Sequence, residues 1–147
     1  MVFCCCFAIL HVLYYSYYKI RIGDIQMTRE QLFQYAKECY GVVPDYPWMD
    51  DPVSAVLRHA DTKKWFGLVL RISTKQLGLT EDIKIDVLNA KADPAFISFN
   101  VGKNGIYRAY HMNKQHWITV RLDEAPDDVI LMVLDQSFAM TEKTAHR

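Results

Sequence analysis

The sequence predicts an α+β domain, an antiparallel sheet with an N-terminal and a C-terminal helix packed on one of its faces. Three observations carry this expectation. Residues 28–41 read as a capped amphipathic helix, and residues 126–138 as a closing one. Between them lie several short segments in which apolar and polar residues alternate with period two.

The elements follow in order. Thr28 is a helix cap, and Gln31 three residues on completes a capping box. Leu32, Phe33, Tyr35, Ala36 and Cys39 fall near one helical face. Gly41 then stops the helix, with Pro44 just beyond. Residues 44–53 hold three prolines and three aspartates and read as an irregular loop, with Tyr46 and Trp48 plugging the edge of the core. Residues 53–59 and 64–73 read as antiparallel strands joined by a turn at 60–63. Gly78 and Glu81-Asp82 mark the next connection, and Ile83, Ile85 and Val87 alternate with Lys84 and Asp86 in a half-buried strand. Asp93-Pro94 opens a short helix that ends near Gly102 or Gly105. Residues 110–116 form a loop or single helical turn leading into a strand. In that strand Ile118, Val120 and Leu122 face one side, Trp117, Thr119 and Arg121 the other. Pro126 suits the first position of the last helix, with Asp127 and Asp128 in its first turn. Its buried stripe is Ile130, Val133, Leu134, Ser137 and Phe138.

A chain of 147 residues, 51% hydrophobic and 23% charged, suits one domain with a real core. The first 26 residues differ from the rest, because Met1–Tyr18 contains no Asp, Glu, Lys or Arg. Three readings compete for this leader. The favoured one starts translation at Met27, since Gly23-Asp24 can be encoded GGA-GAY, a ribosome-binding GGAG suitably spaced from that ATG. A membrane anchor flanked by Lys19 and Arg21 is the second, although the uncharged run is at the short limit for a span. A cleaved signal fits less well, lacking a positive start and an Ala-x-Ala site. Residues 27–147 are the expected domain. The leader holds two of the 17 basic and one of the 17 acidic residues, so the domain has a net charge of −1. Cys39 is its only cysteine, so no internal disulfide and no oxidising compartment is required, and a cytoplasmic protein is expected.

The segment richest in chemistry is Tyr110-His111-Met112-Asn113-Lys114-Gln115-His116-Trp117. It gathers two imidazoles, an amide, an ammonium and an indole with no acid among them. With Thr119-Val120 it resembles the signature of the MmcQ/YjbR family, small bacterial proteins usually described as DNA-binding, with a CyaY-like fold. Asp45-Tyr46-Pro47-Trp48, Val56-Leu57-Arg58-His59, Lys64-Trp65-Phe66, Leu77-Gly78-Leu79, Asp86-Val87-Leu88-Asn89, Lys91-Ala92-Asp93-Pro94 and Leu134-Asp135-Gln136-Ser137-Phe138 extend the resemblance over residues 27–142. One position departs from the pattern: Arg108 stands where the family has proline. The resemblance implies the CyaY-like arrangement of the α+β fold. It does not carry over an iron function, because the acidic ridge of frataxin-type proteins is missing: the first helix has only Glu30 and Glu38, offset by Arg29 and Lys37.

Charge is segregated along the chain. Residues 53–75 hold Arg58, Lys63, Lys64, Arg71 and Lys75 against Asp61, and residues 103–121 hold Lys103, Arg108, Lys114 and Arg121 against no acid. A neutral protein can therefore present a basic face, and phosphate contacts dominate nucleic-acid affinity. The expected binding surface comprises Arg58, His59, Lys64, Arg108, Tyr110, His111, Asn113, Lys114, His116 and Trp117. The tip at Lys63-Lys64 and the signature loop would project as two wings. Individual residues keep structural alternatives. Trp117 either closes the core or offers a stacking face. Asn113 either orients a ligand or caps a turn. His59 either hydrogen-bonds the signature loop or joins it in a site. No CxxC, HExxH, Walker loop, dinucleotide fingerprint or nucleophile elbow occurs, so neither metal nor cofactor is expected. The leading expectation is a noncatalytic domain that binds DNA or another phosphate-rich anion. A protein-interaction or small-ligand module comes second, and an enzyme using His111 or His116 as base third.

Overall fold

The structure is a computed structural model that describes residues 26–142. The leader expectations fall outside the described residues. Among those residues no helix is long and apolar enough to cross a membrane.

Among the described residues three helices and five strands occur in the order α1 (Arg29–Tyr40), β1 (Ala55–Arg58), β2 (Trp65–Ser73), β3 (Lys84–Lys91), α2 (Pro94–Asn100), β4 (Ile106–Arg108), β5 (Trp117–Arg121) and α3 (Asp127–Thr141), with a 3-10 turn at Thr74–Leu77. The sheet is antiparallel throughout, in the order β1-β2-β3-β5-β4. The α+β expectation therefore holds.

The helix ends form as their sequences dictate. Both hydrogen bonds of the Thr28–Gln31 capping box are present, and Gly41 closes α1 in the left-handed region at φ 66°. Asp93 accepts from the Ala95 N–H at 2.8 Å to start α2. Pro126 occupies the N-cap position of α3, one residue before the expected place.

Leu32, Tyr35 and Ala36 of α1 and Ile130, Val133 and Leu134 of α3 pack on one sheet face, against Leu57, Val69, Leu88, Ala90, Ile118 and Val120. The other face is free of α1 and α3, and carries a smaller cluster of Ile72, Ile85 and Val87 with Leu70, Leu77 and Tyr110 beside it. Tyr35 and Tyr40 of α1 both donate to the Asp135 carboxylate, which ties the first helix to the last.

A bulge sits where Leu57 pairs with Gly67 but Arg58 with Trp65. Phe66 is the extra residue, and it is fully buried against Tyr40, His59 and Phe138. At the same end β2 and β3 separate, and Ser137 of α3 fills the gap. Its hydroxyl donates to the Phe66 carbonyl at 2.5 Å and accepts from the Lys91 N–H at 2.9 Å.

Several details depart from the sequence reading. Strand β4 was not foreseen, being three residues long and too short to show a period. It is reached through Gly105 at φ 75°, where a Cβ would lie 2.6 Å from the Ala125 nitrogen. Tyr46 is 48% exposed and plugs nothing, while Trp48 is half-buried and edge-on to Trp65 at 5.9 Å. The Ser73 capping box that starts the 3-10 turn was also missed.

Ser137→Ala should leave the Phe66 carbonyl and the Lys91 N–H without their partner. The expected cost is about 1–3 kcal/mol, the penalty for unsatisfied buried polar groups. Urea unfolding should show a lower midpoint at unchanged slope.

Candidate nucleic-acid interface

The signature loop joins β4 to β5 and lies over the helix-free face of the sheet. Its anchor is Tyr110. The Tyr110 N–H donates to Thr119 Oγ1 at 2.8 Å, and its carbonyl accepts from Asn89 Nδ2 at 2.8 Å. Thr119 Oγ1 in turn donates to Asn89 Oδ1 at 2.5 Å. Asn89 and Thr119 are paired in register across β3 and β5, and both are fully buried. Three hydrogen bonds thus form a closed ring beneath the loop. The Tyr110 hydroxyl accepts from Gln76 Nε2 at 2.6 Å, which ties the ring of Tyr110 to the 3-10 turn. His111 follows in the left-handed region at φ 56°, uncommon for a side-chain-bearing residue.

Asn113 organises the rest of the loop. Its side chain accepts from the Gln115 N–H at 2.8 Å, and its carbonyl accepts from the His116 and Trp117 N–H groups at 3.2 and 2.9 Å. This is the turn-capping role, formed as a single helical turn. The His116 carbonyl accepts from the Ala92 N–H at 2.9 Å and pins the turn to the end of β3.

Arg108, at the end of β4, and Lys114, on the turn, line two adjacent grooves. One, of ≈ 550 Å³, runs past Val101, Tyr107, Tyr110 and His111. The other, of ≈ 570 Å³, runs between α2 and the turn past Ile97, Gln115 and His116. Neither lining contains an Asp or Glu. Arg29, Arg58, Arg71, Lys75 and Arg121 each pair with a carboxylate. Among the described residues Arg108 and Lys114 form no such pair.

The other predicted site residues are placed differently. The β1–β2 tip and the signature loop do leave the same end of the sheet, but β3 lies between the two hairpins. Lys64 is exposed at that tip. Arg58 is committed to Asp45 at 2.7 Å and lies over Trp65. It lines a separate groove with Asp45 and Lys63, which shares no residue with the signature grooves. His59 lies at the bottom of the Arg58 groove and is almost wholly buried. It is 5% exposed, sits against Phe66 and Phe138, and its Nε2 is 2.7 Å from Thr141 Oγ1. The Thr141 hydroxyl donates to the Ser137 carbonyl, which leaves His59 Nε2 as the donor to Thr141. His59 continues the alternation of Ala55 and Leu57, which face the helices, so its inward side follows from the period of β1. Trp117 is half-buried at the start of β5, opposite Lys91 and on the same side of the strand as Thr119. It is neither the closed core residue nor a fully free face.

A third groove, of ≈ 550 Å³, lies over β2 on the same helix-free face. Trp48, Trp65, Leu68 and Leu70 line it, together with Tyr110–Met112, the acids Asp50 and Asp51 and the cations Arg71 and Lys84. Sequence reasoning did not find this groove, nor the roles of Asn89 and Thr119. A signal existed: Asn89 interrupts the apolar run Val87-Leu88-Asn89-Ala90, and a buried amide requires partners. As for nucleophiles, burial and then the charge of Asp135 push the Cys39 thiol up to about 11. It is held protonated at neutral pH and is a poor thiolate source.

Thr119→Val preserves shape and removes the hydroxyl, leaving the Tyr110 N–H and the Asn89 amide oxygen unsatisfied. Stability should fall by about 1–3 kcal/mol. Hydrogen exchange at the Tyr110 amide should accelerate more than at the central residues of β3.

A family model for YjbR matches residues 37–140. YyaQ of Bacillus subtilis (strain 168) is 40% identical over 117 residues, which span 79% of this chain and 99% of that protein. A crystal structure of a Pseudomonas syringae protein superposes with a TM-score of 0.76 at 39% identity, covering 79% of this chain and 100% of that one. A solution structure from the same organism gives 0.74 at 38%, covering 82% and 98%. A Deinococcus radiodurans protein at 22% identity and a TM-score of 0.60 shares the fold, over 84% of this chain and 86% of its own. By its sequence match and by the structures it resembles, the chain belongs to the YjbR family.

Proposed function

We propose that this chain is a small noncatalytic domain that binds nucleic acid, or another phosphate-rich anion, through the signature turn and the end of β4. The observation that carries this reading is the pair Arg108 and Lys114. Two cations without ion-pair partners line two adjoining grooves that contain no acid. A cation already neutralised by a carboxylate, as at Arg58 or Arg71, has less to offer a phosphate. Arg108 supplies a fork-shaped donor and Lys114 a point charge, and both act on phosphate oxygens. His111 and His116 are exposed at the rim and provide further N–H donors. No carboxylate in either groove orients an imidazole as a general base, which favours binding over catalysis.

This reading narrows the interface to Arg108, Tyr110, His111, Asn113, Lys114 and His116, with Trp117 at its margin. It leaves Arg58, His59 and Lys64 outside. We place the action in the cytoplasm, where such a partner is abundant. The membrane-anchored alternative rests on residues 1–18, outside the described residues.

Fluorescence anisotropy with short labelled DNA, at low and at physiological salt, tests the proposal. Binding should weaken steeply as salt rises. Lys114→Ala and Arg108→Ala should each weaken it and flatten the log–log salt slope by about 1, the share of one phosphate contact. Binding that is insensitive to salt, or unchanged in both variants, would remove this surface from the mechanism and favour a protein or small-ligand partner.

A further inference from the structure

We propose that the nucleic acid taken by this surface is single-stranded, with its phosphates at Arg108 and Lys114 and an unpaired base in the Trp48–Trp65 groove. The inference rests on the nucleic-acid reading above and names the form of the ligand.

The three grooves on this side of the molecule are continuous. Val101, Arg108 and Lys114 line both basic grooves. Gln76, Tyr110, His111 and Met112 line both the nearer basic groove and the aromatic one. A chain laid along them passes from cations, over the Tyr110–Met112 arm, to two indoles and an apolar floor of Leu68, Leu70 and Ile72. This is the composition that holds unpaired bases: a charged track for the backbone beside aromatic rings for stacking. A duplex keeps its base faces inside its own stack and has nothing to put into such a groove.

The polarity of the far end agrees. Asp50 and Asp51 would repel a phosphate there. Asp51 is engaged by Ser54, whose N–H donates to it at 3.0 Å and whose hydroxyl also donates to it. Asp50 is exposed and makes no hydrogen bond or ion pair among the described residues. A free carboxylate beside an aromatic slot accepts from the amino groups of bases. Of the two cations that also line this groove, Arg71 is bonded twice to Asp86, and Lys84 sets one charge against the two carboxylates, so the aromatic end stays the more acidic one and matches a nucleotide's own division into phosphate and base. The wall between the two ends is rigid, because the Asn89–Thr119 ring holds Tyr110 and His111 is fixed at positive φ.

The full-length chain is titrated into a labelled mixed-sequence strand of about 12 nucleotides, within the usual footprint of single-strand binders. The same strand annealed to its complement, and dCMP as competitor, complete the set. The strand should bind on the order of tenfold tighter than the duplex and quench tryptophan fluorescence, in keeping with base–indole stacking. Trp48→Ala should weaken strand binding on the order of tenfold at unchanged salt slope, and Trp48→Phe should retain most of it. Trp117 at the interface margin can also be quenched, so the share of quenching lost in the conservative Trp48→Phe variant reads the groove even where Trp48→Ala fails to fold. Equal affinity for strand and duplex without quenching, together with a loss in Lys114→Ala, would overturn this inference and leave the basic-surface reading standing. Mononucleotide binding as tight as the strand's would also overturn it, in favour of a nucleotide pocket. Absence of all binding at low salt would overturn both.

Discussion

Everything at the candidate interface hangs on three hydrogen bonds beneath Tyr110. Asn89 and Thr119 meet because β3 and β5 pair in that register, and between them they satisfy both backbone groups of Tyr110. Two polar side chains buried on a sheet face are costly unless fully bonded. Here each finds a partner within the ring, so the cost becomes a fixed position for the loop. Without that clamp the segment between Arg108 and Trp117 would be an ordinary exposed connection.

The clamp also decides which way charge points. Arg108 leaves β4 just before it, and Lys114 lies on the Asn113 turn just after it. Both cations therefore sit on a stiff frame and line the same two grooves. Among the described residues the other guanidinium groups are absorbed by structure. Arg29 donates to the Val53 carbonyl and reaches Asp86, Arg71 makes two bonds to Asp86, and Arg121 grips Asp123 and Glu124. A near-neutral domain thus keeps a local excess of positive charge by neutralising its other arginines.

The opposite face follows a related logic with a different outcome. Ser137 replaces a ladder bond where β2 and β3 part, and the bulge at Phe66 turns that ring into the helix side, where it meets His59. Phe138 stacks on Tyr40 at 4.3 Å, so the last helix, the first helix and the bulge close as one unit. Polar residues there serve the core; polar residues under the signature loop serve a surface.

Local interactions made much of this legible in advance. Capping boxes, Gly41, Asp93-Pro94 and the alternation around Ile118 act within a few residues, so the helices, four of the five strands and the turn at Asn113 could be read from the chain. The acid-free run from Lys103 to Arg121 was equally visible, since charge segregation needs no fold. What the chain could not disclose by itself were meetings between distant residues. Asn89 reaches Thr119 and Tyr110 only through strand order, and His59 reaches Thr141 only through the packing of α3 on the sheet. Arg58 and Lys114 are both basic, yet β2, β3 and a bond to Asp45 separate their roles. Composition and local pattern determined the elements and the sign of the charge. Register and strand order, which sum contacts across the whole chain, decided which of those charges are free.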